Sequence, residues 1–348
     1  MSNEMLRVTL VKPECLEIDH PAIPTPKPGE IMIKVLRCGV CGSDPTIYFG
    51  RHPYVKFPVV MGHEFSGTVA ALGEGVAGPA VGTRVTVIPH LVCGHCQACR
   101  TETYNFCEEL RCTGAEADGA HVEYKCMPYE MVLPIPDSMS LDDAAMVEPA
   151  CVGYHAAKRG EIRGSDNVLI IGAGPIGLFC MQSCKALGAK KVYVADMDPW
   201  RLELALKLGA DGVINVVQEP LTGGLEIQAG GHKNIDLFFD CVGEKGRVLN
   251  QILALARRGA RVVVVGVLQN GYEIPLLPDF VQHELRLSGT TMYVPQDYRE
   301  MISLMGAGKI RTAGMITQYF KLAEIKKVFD LITHKRERFF KIMLTVND

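Results

Sequence analysis

The stretch from Val168 to Gly177 constrains the fold more than any other part of the chain. A short β-branched run, Val168–Ile171, passes directly into Gly172-Ala173-Gly174-Pro175-Ile176-Gly177, and an apolar segment of helical character follows to about Leu187. Each glycine has a mechanical task in such a strand–turn–helix. Gly172 permits the tight turn, Gly174 lets the backbone approach a pyrophosphate, and Gly177 lets the helix pack on the strand. The helix opened by Pro175 and Ile176 offers free N–H groups and a positive dipole end to the phosphates. Asp196 follows the next strand, Val192–Ala195, roughly 20 residues further on, where a carboxylate holds both adenosine ribose hydroxyls and repels the 2′-phosphate of NADP. NAD is therefore the expected cofactor. Asp196 also admits a plainer reading, as a solvated strand end or the N-cap of a helix from Pro199. Arg201 either stacks on adenine or softens the preference for NAD. Val265 and Gly266, where the strand Val262–Val265 ends, complete the candidate cofactor contacts.

Around this loop the chain alternates strand and helix. After Val192–Ala195 comes a helix from Pro199 to Leu208, then strands near Val213–Ile214, Leu237–Asp240 and Val262–Val265, with Gly188 and Gly209 closing the two helices. That rhythm implies a doubly wound parallel sheet with helices on both faces, an α/β fold. The first ~150 residues read differently. They carry short β-rich runs, Ile31–Leu36, Val59–Val60 and Thr83–Ile88, broken by Gly and Pro, and Pro21 to Pro28 is an extended connector. At 348 residues the chain is long enough for two domains.

Lys and Arg number 36 against 39 Asp and Glu, a net charge of −3 that argues against nucleic acid or an anionic membrane as the main partner. Asn167 to Cys184 is uncharged and approaches the ~20 residues of a membrane span. Its three glycines, its proline and the flanking Asp166 and Lys185 fit a buried strand and helix better. Met1 to Lys12 has no apolar signal core, so a cytoplasmic protein is expected.

Thirteen cysteines cannot all pair within one chain, and without a secretory signal metal or thiol chemistry is favoured over a disulfide framework. Four of them, Cys93, Cys96, Cys99 and Cys107, lie close together, the first three in Cys-x2-Cys steps. Such steps curl consecutive thiolates round one ion, and four sulfurs close a tetrahedral zinc shell with no open position. An iron–sulfur run would want a Cys-x3-Cys-Pro ending, whereas Glu108 follows the last cysteine here. A structural zinc is expected. The other eight, Cys15, Cys38, Cys112, Cys126, Cys151, Cys180, Cys184 and Cys241, read as small buried hydrophobes.

Earlier in the chain stand Cys41, then Gly62-His63-Glu64, and later Glu148. Thiolate, imidazole and carboxylate form the ligand set of a catalytic zinc that keeps one position for water or substrate. Taken singly, each has a dull explanation: a core cysteine, a satisfied buried histidine, a carboxylate at a helix start.

In combination they resemble the zinc-dependent medium-chain dehydrogenase/reductase family. Gly39-Val40-Cys41-Gly42-Ser43-Asp44, Gly62-His63-Glu64, the four-cysteine lobe and the dinucleotide loop occur in that family's order and span nearly the whole chain. Glu148-Pro149-Ala150-Cys151-Val152-Gly153-Tyr154-His155-Ala156 is similar to the Glu-Pro motif of the sorbitol and polyol branch. The resemblance implies a GroES-like catalytic domain over 1–155, with the cysteine lobe at about 90–110. It implies a Rossmann NAD domain over 156–290, a segment 291–348 returning to the first domain, and an active site in the cleft between domains. It makes Cys41 and His63 direct ligands and Glu64 a direct ligand in sorbitol-like members. Glu148 would bind directly or through water, and the two carboxylates exchange during turnover. Two zincs per chain are implied, one catalytic and one structural.

The implied reaction moves hydride from a secondary alcohol (a polyol, sugar alcohol or sugar acid) to NAD and leaves a ketone. Catalytic roles would fall to Ser43, Glu64 and Glu148, with Ser43 as the hydroxyl that relays the proton. Thr46 stands where many members have a histidine, and His52 is a nearby substitute. Met292-Tyr293 replaces the Arg-Tyr pair of sorbitol dehydrogenases and keeps only the phenol; Ile47 and Tyr48 stand where they have a tyrosine. Plain sorbitol is thus one candidate among several. Two alternatives accompany this reading: a threonine-type 3-dehydrogenase, pointed to by His90, and a non-catalytic NAD-binding regulator on the same fold. A homodimer or homotetramer joined through sheet edges near Ile274–Leu277 is also implied.

Overall fold

The computed structural model describes residues 3–243, 247–268, 278–334 and 337–347. The chain divides into two compact units. The first holds the chain up to Glu148 together with Val294–Ala307 and the chain from Gly314 on; the second holds Pro149–Tyr293 and Gly308–Ala313. Ile274–Leu277, the expected subunit edge, lies outside the described residues.

After an antiparallel pair of strands, Arg7–Lys12 and Cys15–Asp19, the first unit includes β1 (Glu30–Val40), helix α1 (Asp44–Tyr48), β2 (Glu64–Leu72), β3 (Arg84–Val87), helix α2 (Gln97–Arg100), β4 (Tyr124–Pro128) and β5 (Val132–Pro134). Along β1 the side chains alternate: Ile31, Ile33 and Val35 are fully buried, while Met32, Lys34 and Leu36 are half-buried, the period-two pattern of a strand with one face on a core. Val59–Val60 forms no strand; Val59 makes only an isolated bridge to Leu10.

Helix α3 (Val147–Arg159) contains the boundary between the units. The second unit is then built from β6 (Asn167–Ile171), α4 (Pro175–Ala186), β7 (Lys191–Asp196), α5 (Pro199–Lys207), β8 (Gly212–Asn215), β9 (Leu237–Asp240), β10 (Arg261–Val264) and β11 (Arg286–Gly289). Its sheet runs β8-β7-β6-β9-β10-β11 with every pairing parallel. Strand order reverses between β6 and β9, the topological switch point at which doubly wound sheets bind dinucleotides. All four residues of β9 are buried, as expected of strands covered on both faces. Phe238, Leu249, Ile252 and Val262 are among the wholly buried members of its core.

Two strands then return to the first unit, β12 (Ile316–Lys321) and β13 (Lys341–Thr345). The first sheet reads β12-β13-β1-β2-β3-β5, with β4 also on β1. Here β13 pairs antiparallel with β1, Ile342 opposite Val40, and β1 pairs antiparallel with β2, Gly39 opposite Glu64. This register brings residues from both ends of the chain to one place.

Candidate metal centres and dinucleotide site

The last residues of β1 deliver Cys41, and the start of β2 delivers Glu64 with His63 just before it. Their ligand atoms lie within 4.8 Å of one another. Local sequence explains the geometry. A side chain on Gly39 would put its Cβ 2.2 Å from Glu64 Oε2, so only glycine at that register position leaves room for the carboxylate. Asp44 ties the turn after Cys41 by accepting the Cys41 N–H at 2.8 Å.

The electrostatics of the trio call for a cation. Burial alone would keep His63 neutral, yet the charge and hydrogen bond of Cys41, with Cys112 and Glu148 adding, carry its imidazole well above the ordinary range. His63 Nδ1 is buried with no hydrogen-bond partner among the described residues. Thiolate, imidazole and carboxylate within ligand reach fit a zinc ion that keeps an open position. Glu148, buried in the first turn of α3, acts on the charge of His63, but the tight trio contains Glu64 in its place.

Several neighbours, His90 apart, carry no signal in local sequence. Lys341 on β13 donates to Glu64 Oε1 at 2.6 Å and also contacts Oε2, with Lys341 3% and Glu64 1% exposed. Burial works to discharge this ammonium, but Glu64, Cys41 and Asp44 hold its pKa above the usual lysine value. His121 is fully buried, and burial followed by the charge of His63 brings it down to about 3. His90 is likewise fully buried and lowered to about 4 by the same causes in the same order. Both stay neutral beside the trio.

Other residues fall differently from expectation. Cys38, Cys151, Cys180 and Cys184 are buried, but Cys15, Cys112, Cys126 and Cys241 are only half-buried, so the small-hydrophobe reading fails for those four. Tyr293 is wholly buried, which removes its phenol as an open donor. Thr46 is exposed, and His52 Nδ1 accepts the Tyr54 N–H at 3.4 Å. Ser43 caps α1 by position, yet its hydroxyl makes no capping bond.

The four lobe cysteines also converge, with all four sulfurs within 4.8 Å. Cys93 and Cys99 sulfurs are 3.8 Å apart and Cys96 and Cys99 3.5 Å. Sulfurs at ~2.3 Å from a tetrahedral zinc stand about 3.8 Å apart, so the cluster has the size of a closed shell. Backbone N–H groups of Cys96 and Cys99 donate to the sulfurs of Cys93 and Cys96, both at 3.4 Å. The Cys99 N–H is the main cause that brings the Cys96 thiol down to about 6. Cys99→Ser should therefore lose the lobe metal and lower the thermal midpoint by about 5 °C. A variant with full stability and full zinc content, by melting and metal analysis, would refute the assignment.

In the second unit, Gly172 turns at φ +102° and Gly174 caps α4 with no side chain in the way. A Cβ on Gly177 would sit 1.8 Å from the Gly172 carbonyl oxygen, so helix and turn pack as closely as backbone allows. Pro175 and Ile176 form the first turn of α4. The Asp196 carboxylate reaches back to the loop, accepting the Ala173 N–H at 2.6 Å and the Asp198 N–H at 2.9 Å. Asp198, and not Asp196, is the N-cap of α5, with its carboxylate accepting the Trp200 N–H at 3.0 Å. The Arg201 guanidinium comes within 4.0 Å of where a Gly174 Cβ would stand. Val265 and Gly266 both donate to the Asp240 carbonyl at 2.9 Å, at the carboxyl end of the same sheet.

Comparison with known proteins agrees with this architecture. Residues 27–137 match the alcohol dehydrogenase GroES-like domain and residues 175–307 the zinc-binding dehydrogenase domain. Sorbitol dehydrogenase of Bacillus subtilis strain 168 is 33% identical over 337 residues, covering 95% of this chain and 94% of that one. L-galactonate-5-dehydrogenase of Escherichia coli K12 is 33% identical over 309 residues, covering 88% and 89%. The crystal structure of the alcohol dehydrogenase RspB from E. coli CFT073 with NADH superposes with a TM-score of 0.91 at 34% identity, covering 99% of this chain and all of that one. A GroES-like unit with a Rossmann unit and two metal-ligand clusters defines a zinc-dependent nicotinamide oxidoreductase. The chain belongs to the zinc-dependent medium-chain dehydrogenase/reductase family, in its polyol dehydrogenase-like branch. Among the described residues no helix is long and apolar enough to cross a membrane.

Proposed function

We propose that the chain oxidises a secondary alcohol of the polyol, sugar-alcohol or sugar-acid class with NAD, giving a ketone, NADH and a proton. The observation that carries this reading is the buried trio of Cys41, His63 and Glu64 within ligand distance of one another. Relatives named for sorbitol and L-galactonate support the substrate class. Cys41, His63 and Glu64 would hold a zinc ion, whose Lewis acidity would lower the pKa of a substrate hydroxyl. Ser43 receives the hydroxyl proton; its backbone N–H donates to the Cys41 sulfur at 3.5 Å, which places it beside that ligand, and its hydroxyl makes no capping bond. Glu148 adds negative charge beside His63 and is the second carboxylate available to the metal. Neutral His90 and His121 leave the positive charge of the site concentrated at the metal and Lys341.

NADH formation followed across sugar alcohols, inositols, aldonic acids, diols and threonine tests the proposal. Turnover of a polyol or sugar acid with NAD, abolished by a chelator and restored by zinc, is the expected result. Threonine as the sole substrate would replace the polyol reading, and no turnover with both metals bound would sink it.

Cofactor choice rests on Asp196. The Ala173 N–H holds the Asp196 carboxylate against the phosphate loop, where its charge would repel the 2′-phosphate, so NADP should be disfavoured. Asp196→Ser removes a charged acceptor and a repulsion, and the NADP to NAD ratio of kcat/KM should rise roughly 10- to 100-fold. An unchanged ratio would assign the selection elsewhere, with Arg201 the next residue to change.

A further inference from the structure

At the edge of the parallel sheet opposite the dinucleotide turn lies a cavity of about 450 Å³. Three segments of the second unit wall it: His232 and Lys233 ahead of β9, the stretch 254–258 ahead of β10, and His283 ahead of β11. Those strands start in register, with Leu237 beside Arg261 and Arg261 beside Arg286, so their amino ends share one edge. The Gly172 turn follows the carboxyl end of β6, which pairs in parallel with β9. Four residues of strand, roughly 13 Å, therefore separate the cavity from the dinucleotide turn.

Every polar side chain in the wall is basic. Among the described residues Lys233, Arg257 and Arg258 supply three positive charges, His232 and His283 add imidazoles, and no carboxylate lines the cavity. Asp236 accepts from the Arg257 guanidinium, and its other oxygen takes the Asn167 N–H at 2.7 Å. It offsets one charge and leaves two. The side chains of Lys233, Arg258, His232 and His283 have no hydrogen-bond or ion-pair partner among the described residues. Backbone bonds hold the walls in place. Gly259 turns at φ +73° and donates to the His283 carbonyl at 2.7 Å, and the Arg261 N–H donates to the Asp236 carbonyl at 3.0 Å. The Arg257 guanidinium also donates to the Arg258 carbonyl at 2.6 Å. The cations are thus kept around one space against their mutual repulsion.

We propose that this cavity is a binding site for a small organic phosphate, separate from the dinucleotide loop. A concave wall of one sign of charge concentrates its field in the space it encloses, and an anion placed there relieves the repulsion. Two uncompensated cations match the charge of a phosphate monoester, whereas a carboxylate would leave one of them unanswered. Guanidinium N–H groups bond phosphate oxygens in pairs, and an ammonium adds a compact charge beside them. Ala254, Leu255 and Ala256 complete the lining with apolar surface, which suits the organic part of an ester and gives bare phosphate nothing to touch.

The inference does not depend on which alcohol is oxidised. Phenyl phosphate and inorganic phosphate are titrated by calorimetry into zinc-loaded protein, with and without saturating NADH. Saturable binding of phenyl phosphate in the presence of NADH is expected, with inorganic phosphate several-fold weaker. Lys233 and Arg258 are exposed, so Lys233→Ala and Arg258→Ala should fold, and each should weaken phenyl phosphate about tenfold. Lys190, exposed just before β7 on the same sheet edge and outside the cavity, is the control, and Lys190→Ala should bind as the unchanged protein does. No saturation up to about 10 mM, or equal weakening by Lys190→Ala, would overturn the proposal. So would undiminished binding in both cavity variants. Binding that NADH abolishes would assign the phosphate to the dinucleotide loop and overturn it as well.

Discussion

Cys41→Ser should abolish turnover while NADH still binds. A serine hydroxyl is a poor substitute for thiolate at a soft ligand position, and the pair that remains, His63 and Glu64, is one donor short of the trio. Loss of Lewis-acid stabilisation of the alkoxide is worth several kcal/mol, and 4 kcal/mol corresponds to about a thousandfold in rate. Cofactor binding should survive because the Gly172–Gly177 loop belongs to the other unit. Zinc content should fall by one ion per chain, with the Cys93–Cys107 cluster unaffected. Metal analysis, a kinetic assay and an NADH titration on one preparation check all three statements. Retained turnover would show that the metal assignment is wrong.

Lys341→Met should be the most destabilising single change near the site, and its cost should depend on metal. Lys341 and Glu64 form a fully buried ion pair, and removing one partner of such a pair leaves an uncompensated charge at a cost of about 3–5 kcal/mol. For units of this size that is a fall of roughly 10 °C in thermal midpoint. Metal changes the balance: a divalent cation held by Cys41, His63 and Glu64 restores a positive partner to the orphaned carboxylate. The loss should therefore be large in chelator-treated protein and clearly smaller in zinc-loaded protein. Equal losses in both, by melting with and without zinc, would mean that Lys341 supports the sheet and not the metal centre. Lys341→Arg keeps the charge and should recover most of the stability.

The parts legible in sequence share one property, which is that their chemistry is made by neighbours along the chain. Gly172, Gly174 and Gly177 shape a turn through their own backbone, and the structure has that turn where a run of β-branched residues meets a helix. Cys93, Cys96 and Cys99 curl around one point because the sulfurs of Cys93 and Cys96 each accept an N–H from the next step of the same loop. The parallel sheet follows from alternating strand and helix signals, each of them local. The N-cap of α5 was not separable at this level, since Asp196 and Asp198 are both acidic residues at a strand end, and only the hydrogen bonds assign one to the loop and the other to the helix.

What tertiary structure decided is the company each buried group keeps. Glu64 and Lys341 lie 277 positions apart, and no spacing rule connects them; antiparallel pairing of β13 with β1 and of β1 with β2 does. The same packing makes Gly39 a gap for a carboxylate, places His90, His121 and Cys112 around His63, and buries Tyr293. Local sequence determined the dinucleotide turn, the cysteine lobe and the α/β rhythm, because short-range backbone geometry and ligand spacing suffice for them. The fold alone settled which charges meet, because the cost of burying a charge is offset only by a partner that the chain brings from far away.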